Sequence, residues 1–301
     1  MEIMEEIEKK ELVKSFQSIE NENANICTVI LNVNNPKLGI KKQLSDIQIF
    51  GKTMKEWVAN AVFDTNIKYA NYEFGEDFLP VVKNAVDTNS KYTFVLFSDT
   101  PLFQRKTFLQ IMEYFKMKDL SVLKLTRGYV FETQYLLKIE SLLNPQIQYF
   151  EEEDFVTCFS LKQLSLINDI MKNRILNYFM KNGVIIEDPS TTFIDADVQI
   201  GANTVIKPFN ELRGNCIVED GVLLDSNNLI YNSVICEKCR NHGATIKNSL
   251  LEKNVEVFEH SKICKNSKIC ESVKVPAYCL ISNAVVTKDD KLKSFYEFIG
   301  D

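Results

Sequence analysis

Residues 194–230 read IDADVQIGANTVIKPFNELRGNCIVEDGVLLDSNNLI, with an aliphatic residue at every sixth position. After a slip, the same period re-forms from Leu251 to Ile281. A period of six is typical of a solenoid in which each repeat is one short strand, with its leading aliphatic side chain inward and small, Asn or Gly residues at the corner. The sequence therefore predicts a left-handed parallel β-helix of about five three-strand coils over residues 184–286.

Upstream of the solenoid, strand and helix signals alternate. Residues 26–33 (ICTVILNV) and 92–97 (YTFVLF) are apolar without alternation, as in strands buried on both faces of a parallel sheet. Helical spacing of apolar residues marks 54–63 and 106–116 as covering helices. We therefore predict a three-layer α/β domain with a shortened Rossmann-like sheet over residues 21–160.

Three further helices are predicted outside these two domains. Residues 1–20 have an acidic start and are expected to form an N-terminal helix. Residues 161–183 carry apolar residues at helical spacing and end in Asn-Gly, which predicts a helix linking the two domains. Residues 287–301 are predicted to form a closing C-terminal helix.

Charge and composition exclude several classes of partner. The chain has 301 residues and a formal net charge of −6, so it has no global positive field to attract nucleic acid or an anionic membrane surface. The N-terminus is charged throughout, unlike a signal peptide, and no apolar run reaches the roughly 18 residues of a membrane span. We expect a cytoplasmic protein that has no membrane span and does not bind nucleic acid.

The eight cysteines are expected to be reduced thiols, because no secretory signal is present. Cys236 and Cys239 have zinc-ligand spacing, but one pair supplies only half of a tetrahedral site and no second pair follows at a matching distance. We therefore expect no zinc.

Residues 174–208, RILNYFMKNGVIIEDPSTTFIDADVQIGANTVIKP, carry a family resemblance. Their arginine-bearing helix, the GV-DP turn and the first coil with its IG and I-P pattern are similar to the GlmU family. GlmU enzymes make UDP-N-acetylglucosamine with a nucleotidyltransferase domain of the glycosyltransferase-A type, followed by a left-handed β-helix acyltransferase domain. The resemblance implies this two-domain order and sugar nucleotides or UTP as ligands.

Shorter upstream segments resemble the family's nucleotidyltransferase motifs. Residues 98–102 (SDTPL), directly after a strand, look like its GD-PL segment, which implies that Asp99 holds Mg²⁺. An oxygen ligand at the carboxyl end of a strand suits a hard cation that bridges phosphates. Residues 50–54 (FGKTM) are similar to AGKPM, which implies a substrate-binding role for Lys52. Lys41 and Lys42 lie near the position of the family's activating lysine.

The sequence departs from the family where its chemistry is concentrated. Residues 31–39 (LNVNNPKLG) stand where the family has a glycine-rich phosphate loop, and Phe159 stands at the second metal ligand. The segment between the SDTPL motif and Arg127 is also shorter than the family's sugar-binding region. In the solenoid, the family's acyltransferase needs a histidine base, and His242 in Asn241-His242-Gly243 is the candidate.

Three functions therefore stay open. The first is sugar nucleotidyl transfer, in which NTP and a sugar 1-phosphate give an NDP-sugar and pyrophosphate with Mg²⁺ on Asp99. The second is a catalytically inactive GlmU-like binding, scaffold or regulatory protein with a protein partner. The third is a small hexapeptide acyltransferase with His242 as its base. Left-handed β-helix proteins commonly pack as trimers, and the flat faces of the solenoid would allow such packing, so we expect a homotrimer.

Overall fold

The chain is described here from a computed structural model that places residues 25–34 and 44–300. It divides into two compact units, residues 1–167 and 168–301. The helix predicted over residues 1–20 lies outside the described residues. Within residues 25–34 and 44–300, no helix combines the length and the apolar character that crossing a membrane requires.

A six-stranded mixed sheet forms the centre of the first unit. Its strands are β1 (Ile26–Asn34), β4 (Asn66–Glu73), β5 (Tyr92–Phe97), β6 (Val122–Leu125), β7 (Gly128–Glu132) and β8 (Gln146–Ile147), in the order β4-β1-β5-β7-β6-β8. Strand β7 runs antiparallel to both of its neighbours, and the other pairs are parallel. A separate antiparallel pair is formed by β2 (Gln48–Ile49) and β3 (Lys52–Thr53).

Four helices cover the two faces of this sheet: α1 (Met54–Ala61), α2 (Phe78–Ala85), α3 (Arg105–Met117) and α4 (Thr133–Lys138). Thr53 starts α1 with a capping box, in which its hydroxyl accepts from the Glu56 amide and the Glu56 carboxylate accepts from the Thr53 amide. Alternate residues of β1 enter two separate apolar clusters, one packed with α1 and α3 and the other with α2. The three-layer α/β prediction is confirmed.

The linking helix α5 spans Leu161–Lys181, close to its predicted bounds. The Ser160 hydroxyl accepts from the Gln163 amide at 3.2 Å and caps its first turn. Gly183, which follows its last turn, has a φ of 86°, a conformation that glycine adopts without strain. Two apolar residues of its last turns, Leu176 and Phe179, belong to the solenoid core.

The second unit is a parallel β-helix with three faces. The first face contains β9 (Ile185–Ile186), β12 (Val205–Ile206), β15 (Leu223–Leu224), β18 (Arg240–Asn241), β21 (Glu256–Val257) and β24 (Lys274–Val275). The second contains β10 (Phe193–Ile194), β13 (Glu211–Arg213), β16 (Leu229–Tyr231), β19 (Thr245–Lys247), β22 (Lys262–Cys264), β25 (Leu280–Ser282) and β27 (Glu297–Ile299). The third contains β11 (Gln199–Ile200), β14 (Ile217–Val218), β17 (Val234–Ile235), β20 (Leu250–Leu251), β23 (Lys268–Ile269) and β26 (Val285–Val286).

The core of this left-handed β-helix is a ladder of inward side chains, one from each strand. Every aliphatic residue of the two predicted six-residue frames is buried except Ile200, which is half-buried. Strands β10 to β24 make five complete coils, as predicted, and further strands extend both ends. The slip between the frames falls where the ladder contains Asn241 in place of an aliphatic residue.

The predicted C-terminal helix is wrong. Residues 287–296 form turns and irregular backbone, and β27 pairs in parallel with β25, with Leu280 opposite Glu297. The exposed edge of β25 offers backbone N–H and C=O groups that a further strand can satisfy. That pairing prevails over the helical spacing of the sequence.

Candidate functional site

Asp99 is the second residue after the end of β5 in the first unit, and it is 1% exposed. The Arg127 guanidinium meets both carboxylate oxygens, with Nη2 at 2.7 Å from Oδ2 and Nε at 3.2 Å from Oδ1. That guanidinium also lies 3.9 Å from the centroid of the Phe97 ring. Burial raises the pKa of Asp99, and the charge and hydrogen bonds of Arg127 oppose that shift. The carboxylate predicted to hold Mg²⁺ is thus paired with a cation.

The structure describes only some of the other residues that the sequence predicts for this site. Lys52 lies in β3 and is half-buried, and Lys41 and Lys42 fall outside the described residues. Phe159, at the position of the second metal ligand, is 47% exposed and makes an edge contact with Phe74. Across residues 25–34 and 44–300, no group of three or more His, Cys, Asp or Glu side chains could hold a metal ion. The roles assigned to these residues stay predictions.

His242 lies at the corner after β18, between two carboxylates. Its Nδ1 is 2.5 Å from Oδ2 of Asp225, and its Nε2 is 3.2 Å from Oε1 of Glu256. The imidazole also stacks on Phe258, with 5.2 Å between the ring centroids. Since both nitrogens face carboxylate oxygens, each can donate when the ring carries two protons. The Nδ1 contact with Asp225 is the shorter of the two.

The two carboxylates are themselves held by lysines, so a chain of five charged or titratable groups crosses the first face. Lys207 pairs with Asp225 at 2.6 Å, and Lys274 pairs with Glu256 at 2.7 Å. Burial opposes ionisation of Asp225, but Lys207 and His242 outweigh it and lower its pKa. The hydrogen bond from Lys274 lowers the pKa of Glu256.

Beside His242 lies an open cavity of about 420 Å³ at the corner between the first and second faces. His242, Gly243, His260 and Lys262 contribute to its lining. The cavity therefore brings two imidazoles and an ammonium group to one place on the solenoid surface. Sequence reasoning identified His242 but missed His260, Asp225 and Glu256.

The signal that could have found the two carboxylates is the coil length. Within the five complete coils, partner residues in neighbouring coils are 16 to 18 positions apart, as in Leu229 opposite Thr245 and Phe193 opposite Glu211. Asp225 precedes His242 by 17 positions, and Glu256 follows it by 14. A search one coil before His242 would have identified Asp225, whereas Glu256 lies two residues before the position one coil after His242 and pairs with Arg240 instead.

Cys236 and Cys239, which have zinc-ligand spacing in the sequence, differ in burial. Cys239 is buried and its thiol donates to the Glu252 carbonyl at 3.0 Å, whereas Cys236 is half-buried. Burial raises the pKa of Cys239 to about 12. All eight cysteines are free thiols in the structure.

Comparison with known proteins supports the resemblance over the second half of the chain. Residues 223–298 match the family described as GlmU-like, C-terminal hexapeptide. The bifunctional protein GlmU of Listeria welshimeri is 31% identical over 169 residues, which is 55% of this chain and 37% of that protein. GlmU of Listeria monocytogenes serotype 4a is 34% identical over 46% of this chain and 30% of its own length. The chain thus spans about a third of the length of these relatives.

Two solved structures also match this chain, at low identity and with TM-scores below 0.5. The acetyltransferase domain of PglB from Neisseria gonorrhoeae is 12% identical, with a TM-score of 0.34, covering 92% of this chain and 97% of that one. A mutant of perosamine N-acetyltransferase from Caulobacter crescentus, in complex with CoA and GDP-perosamine, is 11% identical with a TM-score of 0.30. This match covers 91% of this chain and 93% of the perosamine N-acetyltransferase chain. The family match and the curated relatives together show that the solenoid is similar to the C-terminal hexapeptide region of GlmU.

Proposed function

We propose that this chain is a GlmU-like protein that works by binding and assembly, and that its first unit does not transfer nucleotidyl groups. The observation that carries the proposal is the buried Asp99–Arg127 pair. A magnesium ion on Asp99 would have to displace Arg127. Breaking a buried ion pair costs about 3–5 kcal/mol, and here the Arg127 charge would be left without a partner.

Calorimetric titration of the full chain with UTP and then with UDP-N-acetylglucosamine, each with Mg²⁺, tests this proposal. We expect no magnesium-dependent binding by the intact protein. Arg127→Gln frees the Asp99 carboxylate, and Arg105→Gln is the matched control because it breaks a second arginine–aspartate pair of this unit, with Asp64. Magnesium-dependent binding by the intact protein that Asp99→Ala abolishes would favour nucleotidyl transfer instead.

The third face of the solenoid supports the assembly part of the proposal. Its outward residues in three successive coils are Ile217, Val234 and Leu250, in register from strand to strand. Lys268, which pairs with Glu252, follows in the next coil and Val285 in the one after. Ile217 is 41% exposed and Val285 is 58% exposed. A flat apolar stripe of this kind is suited to contact with another copy, and three copies around one axis would cover one such face on each.

Light scattering of the intact protein should give a mass near three times the 34.7 kDa of one chain. Leu250→Lys places a charge within the stripe and should shift the mass toward one chain. Arg240→Glu changes an outward residue on the first face and serves as the control. A single-chain mass for the intact protein at working concentrations would contradict assembly through this face.

A second candidate, hexapeptide acyl transfer, is favoured by one observation. Asp225 orients the His242 imidazole beside an open cavity, and a histidine held in this way can serve as a general base. The Nε2 contact with Glu256 would have to open to admit an acceptor amine or hydroxyl. Thiol release from acetyl-CoA in the presence of an amino-sugar acceptor, lost in His242→Gln, would establish it; no release by the intact protein would exclude it for that acceptor.

A further inference from the structure

The corners that follow the first face carry a column of residues with positive φ, one per coil. In the last three coils these residues are His260, Tyr278 and Phe295, with φ of 60°, 62° and 61°. Tyr278 and Phe295 stack, with centroids 4.8 Å apart, and the His260 ring lies over Tyr278 at 4.9 Å with an angle of 31° between the ring planes. These separations match the spacing of neighbouring strands in a sheet. Each coil therefore contributes one ring to the stack.

The stack ends at Gly243, the residue of the same column one coil before His260. Three residues separate β18 from β19 at this corner, whereas four separate β21 from β22, so the corner is also shorter. Gly243 has a φ of 91°, and a Cβ added there would lie 3.0 Å from the Ser226 carbonyl oxygen. The missing side chain opens the cavity of about 420 Å³ that also borders His242. We call the part of it lined by Asn227, Gly243, Thr245, His260 and Lys262 the ring notch.

The ring notch combines a stacking surface with polar groups. One face of His260 packs on Tyr278, and the side of its corner toward Gly243 borders the cavity. Lys262 is exposed at the start of β22 and makes no ion pair with any residue in the described part of the chain. The Glu259 carboxylate also lines the cavity and can accept from an amino group. A planar ring would continue the stack by one rung, and an anionic substituent would suit Lys262.

From these features we propose that the ring notch binds a nucleotide, with its base stacked on His260 and its phosphate at Lys262. Bases stack on aromatic side chains regardless of sequence, and ammonium groups bind phosphate as point charges. The site lies wholly in the second unit and involves neither Asp99 nor a metal ion. Its binding is therefore separable from the titrations that test nucleotidyl transfer, because it should persist without Mg²⁺ and in Asp99→Ala.

Titration of the full chain with AMP, adenosine and inorganic phosphate, with a chelator present, tests the ring notch. AMP should bind, and His260→Asn should weaken its binding about tenfold or more, because one base-stacking surface is lost. Asparagine tolerates positive φ, so this substitution removes the ring without straining the corner. Phe295→Asn is the matched control: it has the same column position and the same substitution, but removes a ring outside the notch, and it should leave AMP affinity unchanged.

Two further variants separate loss of the site from loss of folding. Thr245→Phe places a ring in the notch from a strand position, where phenylalanine is well tolerated, and should block AMP while circular dichroism stays unchanged. Lys262→Gln should weaken AMP binding and leave adenosine binding as it was. No AMP binding at millimolar concentration by the intact protein, or equal weakening in His260→Asn and Phe295→Asn, would overturn the proposal.

Discussion

The side chain of Asn241 occupies an inward position of the solenoid core, between Leu224 and Val257 of the neighbouring coils. It is 0% exposed, and neither Oδ1 nor Nδ2 has a hydrogen-bond partner among residues 25–34 and 44–300. Burying an amide without partners costs about 1–3 kcal/mol by mutational measures. We therefore predict that Asn241→Val stabilises the solenoid, since valine matches the aliphatic ladder on both sides.

The size of the effect follows from this cost. A gain of about 1–3 kcal/mol in the free energy of unfolding corresponds to a rise in Tm of roughly 4–10 °C for a unit of this size. Thermal unfolding followed by far-UV circular dichroism measures it. Trp57 is the sole tryptophan, and it lies in the first unit, where its Nε1 donates to the Ile49 carbonyl. Trp57 fluorescence therefore monitors unfolding of the first unit, and the Tm of that transition should be the same in Asn241→Val and in the intact protein.

Asn228→Val is the matched control, because the same substitution at a satisfied asparagine should have the opposite sign. The Asn228 side-chain oxygen accepts from the amides of Gly243 and Ala244, at 3.1 and 2.8 Å. Its amide group donates to the Asp225 carbonyl at 2.6 Å. Each buried group left without a partner costs about 1–3 kcal/mol, so we expect a loss of at least about 2 kcal/mol. A lower Tm for Asn241→Val would refute the reasoning that its amide is unsatisfied.

Three further predictions concern charge, thiols and backbone packing. The pKa values of Asp225 and Glu256 are lowered in the folded protein, so these carboxylates stabilise it above their unfolded pKa values, and that stability is lost as the pH falls below about 4. Urea unfolding measured against pH should therefore show that the double variant Asp225→Asn, Glu256→Gln loses less stability in acid than the intact protein. Burial raises the pKa of Cys158 to about 11 and that of Cys239 to about 12. Iodoacetamide at neutral pH should therefore label the half-buried Cys236 faster than Cys158 or Cys239, as measured by peptide mass spectrometry. Gly128→Ala should destabilise the first unit by at least about 1 kcal/mol, because Gly128 has a φ of 136° and the new Cβ would lie 2.6 Å from the Val95 carbonyl oxygen. The midpoint of the Trp57 fluorescence transition should fall, and an unchanged midpoint would refute this.

The solenoid could be predicted from sequence because its repeat is local. Each inward residue is six positions from the next, so Ile194 to Ile230 reveal the core without knowledge of any distant contact. The strand β27 could not be predicted in this way, since its pairing depends on the exposed edge of β25. Local spacing in that segment favours a helix, and the tertiary contact prevails.

The candidate sites were less accessible to sequence reasoning. Asp99 and Arg127 are 28 positions apart, and they meet because β7 runs antiparallel to β5 in the sheet. Similarly, the ring notch depends on a corner that is one residue shorter than its neighbours, so that Gly243 falls in line with His260. Both arrangements need the register of neighbouring strands, which residue types alone do not specify.

The central claim is that the first unit does not carry out nucleotidyl transfer, and pyrophosphate release measures that activity directly. The full chain would be incubated with UTP, N-acetylglucosamine 1-phosphate and Mg²⁺, beside a protein-free control and the Asp99→Ala variant. The buried Asp99–Arg127 pair predicts no release above the protein-free control. Release by the intact protein that Asp99→Ala abolishes would contradict the claim and assign this unit a catalytic metal site.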